Sequence, residues 1–275
     1  MLKRILVGLG GTEYTISAIN QAIALALAND AEVTGISAFD AGRLRQIGPL
    51  PIGAGAFPEE FGGAPMQKAR KRELWAIEEF TEACKATGVR YKVVNETGEP
   101  ISLMINHARY YDLMIFGLRS LFEFGLISDP HEALIRLVQA GVRPILAVAK
   151  GYSPIKKVLI SYSGSMESAK AMKRFIQMRL FPDVAVKVIT FNENRSEGQR
   201  LVDDAAEYCL AHGYRVENEC IGASPKDSLL PYANQWGADL IVIGNSAKSL
   251  TLRRIFGETA LNAIHHSDRP LYMAQ

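Results

Sequence analysis

The sequence predicts an α/β protein built from two tandem, doubly wound domains, each an open parallel sheet, packed together as a pseudo-dimer. Three observations carry this. Short apolar runs that stop at Gly alternate with segments of helical period, the signature of buried parallel strands and their crossover helices. Four motifs of the first half recur in the same order in the second: residues 156–165 (KKVLISYSGS) restate 3–12 (KRILVGLGGT), 222–225 restate 97–100, 238–245 (ADLIVIGN) restate 111–118 (YDLMIFGL), and 268–271 restate 142–145. The offset falls from about 153 residues at the first match to about 126 at the later ones, which places an insertion of about 27 residues in the first copy.

In chain order, residues 3–9 read as a buried strand closed by the turn Gly10-Gly11-Thr12, with Thr12 as N-cap of a helix over 13–28. Ile16, Ile19, Ile23 and Leu27 fall at helical spacing on that helix. Residues 31–37 read as the second strand. The stretch 41–65 is dominated by Gly and Pro and holds no period, so it reads as a long loop, the insertion itself. Its Phe57 and Phe61 suit a lid over a cavity or a contact with a partner protein. A helix is expected over 66–86, closed by Gly88, then a short strand at 91–94. Glu99-Pro100 opens the next helix, residues 112–116 form a buried strand, 132–140 a helix, and 144–149 the last strand of the first copy. The domains are 1–150 and 154–275, joined near Gly151 to Pro154.

The second copy repeats this plan and ends in the most informative stretch, 237–259 (GADLIVIGNSAKSLTLRRIFGET). Residues 240–243 read as a buried strand stopping at Gly244. A loop of about a dozen residues with Lys248, Arg253 and Arg254 follows, and Gly257-Glu258-Thr259 is expected to open a helix. Ligands of open α/β sheets sit beyond the carboxyl ends of strands, and helix N-termini offer unpaired N–H groups to anions.

These residues resemble the universal stress protein family in its tandem two-domain form, and the resemblance covers nearly the whole chain. Its carriers are the two strand openings, the G-x-P turns, the D-L-[IM]-[IV]-[FI]-G strands and the R-P-[IL] before each last strand. The resemblance implies a universal-stress, adenine-nucleotide-hydrolase-like fold and pairing of the domains through their last strands, which leaves a further homodimer open. It also implies a non-enzymatic stress-response or signalling protein. Nucleotide-binding members carry G-x2-G-x9-G-[ST], with an Asp after the first strand that recognises the adenosine part of ATP. In the second domain Gly244 and Gly257 fit that pattern. Ala247 stands at the second Gly, Glu258 at the Ser/Thr position with Thr259 one step late, and Ser163 at the Asp position. In the first domain Gly117 fits, while Ser120, Pro130 and Gly10 replace the other positions, so that copy reads as a non-binder.

The implied site is therefore Ser163, Gly244, Asn245, Ala247, Lys248, Gly257, Glu258 and Thr259, holding ATP or another adenine nucleotide weakly. Ala247 adds a Cβ where a backbone would approach phosphate. Glu258 favours a helix start and repels an anion, whereas Lys248, Arg253 and Arg254 attract one. The alternative is a scaffold of the same fold that binds another ligand or a partner and no nucleotide.

Other classes find less support. A net charge of +2 gives no electrostatic case for nucleic acid, and the cluster Lys68, Arg70, Lys71, Arg72 reads as a solvated helix face. Cys84, Cys209 and Cys220 lack metal-type spacing and point to reduced thiols, Cys84 and Cys209 as core fillers. No membrane span or signal peptide is visible, so a cytoplasmic protein is expected. Residues 163–168 (SGSMES) faintly resemble the SGGxDS pyrophosphate loop of ATP-using ligases, but Ser165 reads better as an N-cap. His265-His266 point apart on a helix and make no metal face. His107 and His131 have no sequence partner, Tyr110-Tyr111 read as edge packing, and Trp75 and Trp236 as core. No acid/base pair or activated nucleophile is visible, so no enzyme is expected.

Overall fold

The computed structural model describes residues 2–39, 58–98, 100–118, 137, 144–244 and 252–274. Ten strands form one sheet: β1 (Arg4–Gly8), β2 (Glu32–Phe39), β3 (Tyr91–Thr97), β4 (Leu113–Gly117), β5 (Ile145–Val148), β6 (Lys157–Ser161), β7 (Ala185–Phe191), β8 (Arg215–Ile221), β9 (Leu240–Gly244) and β10 (Leu271–Ala274). Their order is β3-β2-β1-β4-β5-β10-β9-β6-β7-β8, so each half is a doubly wound parallel unit. The halves meet where β5 and β10 pair antiparallel, Leu146 opposite Tyr272. That pairing turns two open sheets into one and removes an unpaired edge from each.

Helices cover both faces: α1 (Thr15–Asn29), α2 (Pro58–Thr87), α3 (Pro100–Ala108), α4 (Met166–Met178), α5 (Arg195–Ala211), α6 (Pro225–Trp236) and α7 (Leu252–His266). One core layer lies under α1, α2, α4 and α5 and includes Ile19, Phe80, Phe175 and Val202. The other lies under α3, α6 and α7 and includes Met104, Leu229 and Ile264, with the helical residue Leu137 also buried there. Tyr272 is fully buried at the domain junction, edge-on to Phe175 at 5.2 Å.

The repeat reaches individual hydrogen bonds. Asp112 Oδ2 accepts the backbone N–H groups of Lys3 and Arg4 at 2.8 and 2.9 Å, and Asp239 Oδ2 accepts those of Lys156 and Lys157 at the same two distances. Each aspartate thus ties the entry of a domain's first strand to the entry of its fourth. The C-termini of α2 and α5 also match. Gly88 and Gly213 take φ of 71° and 83°, and the next residues, Val89 and Tyr214, donate to the carbonyls of Cys84 and Cys209. Both cysteines are fully buried, as the sequence suggests.

Several local expectations are corrected. Helix α2 begins at Pro58, well before residue 66, and runs through Gly62, Gly63 and Pro65. Pro58 at the first helical position and Glu59 and Glu60 in the first turn favour a start there, because a missing N–H and acidic charge both suit a helix N-terminus. The expected loop is thus helical over 58–65, and its 41–57 portion lies outside the described residues. Strand β3 continues to Thr97, beyond the expected 94. On α1, Ile19 and Ile23 are buried but Ile16 and Leu27 are exposed. Ala18, Ala22 and Ala26 take the inner face instead, since small side chains let a helix approach the sheet closely. The N-cap of α1 is Tyr14, and Thr12 acts two residues upstream by accepting the Tyr14 N–H through Oγ1. Trp75 is not core; it lies 37% exposed on the outer face of α2. Trp236 is half-buried against the second core layer, with the Lys157 ammonium 5.2 Å from its ring centre. Tyr110 is exposed, whereas Tyr111 lies under the Arg4 guanidinium.

Candidate functional site

In the second domain the carboxyl ends of β6 and β9 lie side by side, Ser161 being paired with Ile243. Strand β6 leads through residues 162–165 into α4, whose N-terminal turn packs against the end of β9. Gly244 is where they touch. A Cβ on it would stand 2.7 Å from Ser168 N and Cα and 2.8 Å from the Glu167 carbonyl carbon, all backbone atoms. This position therefore requires Gly for packing alone, whether or not a ligand approaches.

Ser163 follows β6 and is exposed, with its hydroxyl 3.0 Å from Ser165 Oγ and 3.2 Å from Ser168 Oγ. Ser165 is the N-cap of α4 and accepts the Ser168 N–H, as the sequence suggests. Gly164 between them has φ of 73°, the left-handed turn that folds the three hydroxyls together. Sequence reasoning placed Ser163 at the site and Ser165 at the N-cap, and named Ser168 only as part of the 163–168 motif. Its signal was available: Ser at i, i+2 and i+5 around a Gly, just before a helix.

The segment after β9 departs from expectation. Helix α7 begins at Leu252, so Gly257, Glu258 and Thr259 lie in its second turn rather than at its start. The four unpaired N–H groups of a helix belong to its first four residues, so those of Gly257, Glu258 and Thr259 fall within the helical ladder. No acidic residue occupies the first turn, which carries Arg253 and Arg254. Glu258 reaches sideways to Lys226 of α6, Oε2 to Nζ 3.8 Å, and Asn262 Nδ2 donates to the Lys226 carbonyl at 2.8 Å. Thr259 is half-buried. Asn245, Ala247 and Lys248 lie outside the described residues, as do Ser120, Pro130 and His131 of the first domain.

In the first domain the corresponding turn after β1 packs against α2. Gly11, with φ of 62°, packs under α2 so tightly that a Cβ would meet the Arg72 Cβ and carbonyl oxygen at 2.9 Å. One position further along α2, Glu73 is buried and accepts from the Ser37 hydroxyl at the end of β2, while its other oxygen pairs with Arg70 at 2.8 Å. In the second domain the residue matching Gly11 is Gly164, which meets only the flexible end of Leu201 of α5.

A separate polar corner joins β7, β8 and α6. Lys187 Nζ lies 3.0 Å from Glu219 Oε2, and the Tyr232 hydroxyl donates to the same carboxylate oxygen. The Tyr232 hydrogen bond, opposed by burial and aided by Lys187, holds the Glu219 carboxyl below its usual range. His107, without a sequence partner, pairs with Glu96 at 2.9 Å in the corresponding corner of the first domain. Among the described residues no group of three or more His, Cys, Asp or Glu is placed to hold a metal, and no helix is long and apolar enough to cross a membrane.

Fold and mouth together define a tandem doubly wound α/β protein of the kind that takes ligands beyond its strand ends. A model of the universal stress protein family matches residues 1–139 and 154–275, and the chain belongs to that family. Universal stress protein Slr1230 of Synechocystis sp. is 22% identical over 185 residues, covering 66% of this chain and 63% of that protein, so the match spans less than two thirds of that relative. The crystal structure of a universal stress protein from Archaeoglobus fulgidus DSM 4304 is similar with a TM-score of 0.71 at 15% identity, over 99% of this chain and 96% of that one. PA1789 of Pseudomonas aeruginosa PAO1, described as functionally unknown, gives 0.63 at 12% identity over 99% and 92%. At such identities the likeness shows the shared fold.

Proposed function

We propose that this chain is a non-enzymatic stress-response or signalling protein whose second domain binds an adenine nucleotide weakly, while the first serves as its structural partner. The observation that carries this is the asymmetry of the two mouths. Backbone of α2 is seated on Gly11 in the first domain, whereas Ser163 stands exposed at the equivalent strand end in the second. A neutral hydroxyl replaces the carboxylate of the nucleotide-binding pattern there, and a hydrogen bond to a charged group is worth roughly 1.5–3 kcal/mol. Binding is weak for that reason.

Titration of the purified chain with a fluorescent ATP analogue tests this. The expected result is weak saturable binding without release of phosphate, tightened roughly tenfold or more by Ser163→Asp. Absence of saturable binding in both the natural chain and Ser163→Asp overturns the nucleotide assignment. The start of α7 at Leu252 favours the second reading, a scaffold that has kept the fold without the nucleotide, because it draws the N–H groups of Gly257 to Thr259 into the helix.

A further inference from the structure

On the outer face of α2, Lys68 lies three and four residues before Lys71 and Arg72, and Trp75 lies four and three residues after them, forming one stripe. By helical rise the stripe is about 10 Å long. With Gln67 these four line a surface groove of about 390 Å³. Lys68, Lys71 and Arg72 are all exposed, and none has an acidic partner among the described residues. Their neighbour Arg70 differs, being held by the buried Glu73 carboxylate. Arg72 also borders a second groove with Gly11, Thr12 and Glu13, and the Glu13 carboxylate there is neutralised by Lys150.

Surface cations on a mixed-charge helix usually alternate with acids, whereas on α2 the acids Glu78, Glu79 and Glu82 fall further along the helix. Three cations without an acidic partner among the described residues, converging on a groove walled by an indole, are a different arrangement. We infer that this groove is a binding site for a small polyphosphate ester, with Lys68, Lys71 and Arg72 on the phosphates and Trp75 against the organic part. Guanidinium and ammonium groups complement phosphate by charge and hydrogen bonding. Indole supplies a flat apolar wall with a polar edge. The groove volume lies within the range of small-ligand sites. A lipid surface shares the phosphate chemistry, but Trp75 lines the groove and is only 37% exposed, so it walls a cleft rather than projecting into a bilayer.

The site lies in the first domain and is independent of the nucleotide reading for the second. Calorimetric titration of the intact chain with inorganic tripolyphosphate at low salt reads it directly, and Trp75 emission in a Trp236→Phe background reports the same event locally. The expected result is saturable binding that perturbs Trp75 emission, weakens at least tenfold in Lys68→Glu/Lys71→Glu, falls steeply with added salt, and is unchanged by Ser163→Asp. No saturable binding, or binding unaffected by the double substitution, overturns the assignment. So does adsorption to vesicles of phosphatidylserine and phosphatidylcholine without any binding of tripolyphosphate, which would make the face a lipid contact.

Discussion

Gly244 and Ser168 lie backbone to backbone, with the site of a missing Cβ on Gly244 only 2.7 Å from the Ser168 nitrogen. The contact fixes the N-terminal turn of α4 against the end of β9, and so sets the shape of the mouth in the second domain. Its strictness is local: a Cβ on Gly151 would meet nothing within 4 Å.

Gly244→Ala is therefore expected to destabilise the chain by about 1–3 kcal/mol, the usual cost of overpacking where the neighbour is backbone and cannot swing away. Gly151→Ala, with open space around it, should be neutral or slightly stabilising through the unfolded state. Urea denaturation of the two variants side by side decides this; equal midpoints would mean that α4 yields freely.

Asp112 and Asp239 each accept two backbone N–H groups at the entry of a domain's first strand. Both places are open to water, so each Asp→Ala change should cost about 1 kcal/mol. The carboxylates belong to different domains and share no partner, so the double variant should sum within about 0.5 kcal/mol. A marked excess over the sum would show that the domains communicate through β5 and β10.

The Glu219 corner predicts a pH dependence. Its carboxyl is depressed in the folded protein, first by Tyr232 and then by Lys187 against opposing burial. The stability it supplies is thus complete above the ordinary carboxyl value of 4.5 and is lost as pH falls through the lower folded value. Tyr232→Phe should flatten the acid limb of the stability curve below about pH 4.5. Parallel curves for the two proteins would falsify this assignment.

Burial pushes the Cys84 thiol up to about 11 and the Cys209 thiol up to about 12. Cys220 is partly exposed, its sulfur facing the Asn192 carbonyl. Iodoacetamide at about pH 8 should accordingly modify Cys220 first in the native chain and reach the other two only after denaturation, because the thiolate is the reacting species. Peptide mass spectrometry reads the order, and early labelling of Cys84 or Cys209 would show that their helices open readily.

Much of this architecture was legible in the sequence because it rests on local periods and repeated motifs. Apolar runs ending at Gly117 and Gly244 marked buried strands, the recurrence of ADLIVIGN and YDLMIFGL marked duplication, and Gly88 marked a helix end. Residues whose environment depends on distant chain were not legible. Trp75 has the hydrophobicity of a core residue, yet its position on α2 faces outward. Gly244 resembles a phosphate-loop glycine, while its nearest neighbour is Ser168, brought there by the crossing of α4. The order of elements is written in short-range spacing, which the backbone must satisfy wherever it lies. Which turn packs under a helix, which face of α2 carries its cations outward and which glycine is compelled by contact arise only when α2 and α4 settle on the sheet, since close packing couples residues that the chain keeps far apart.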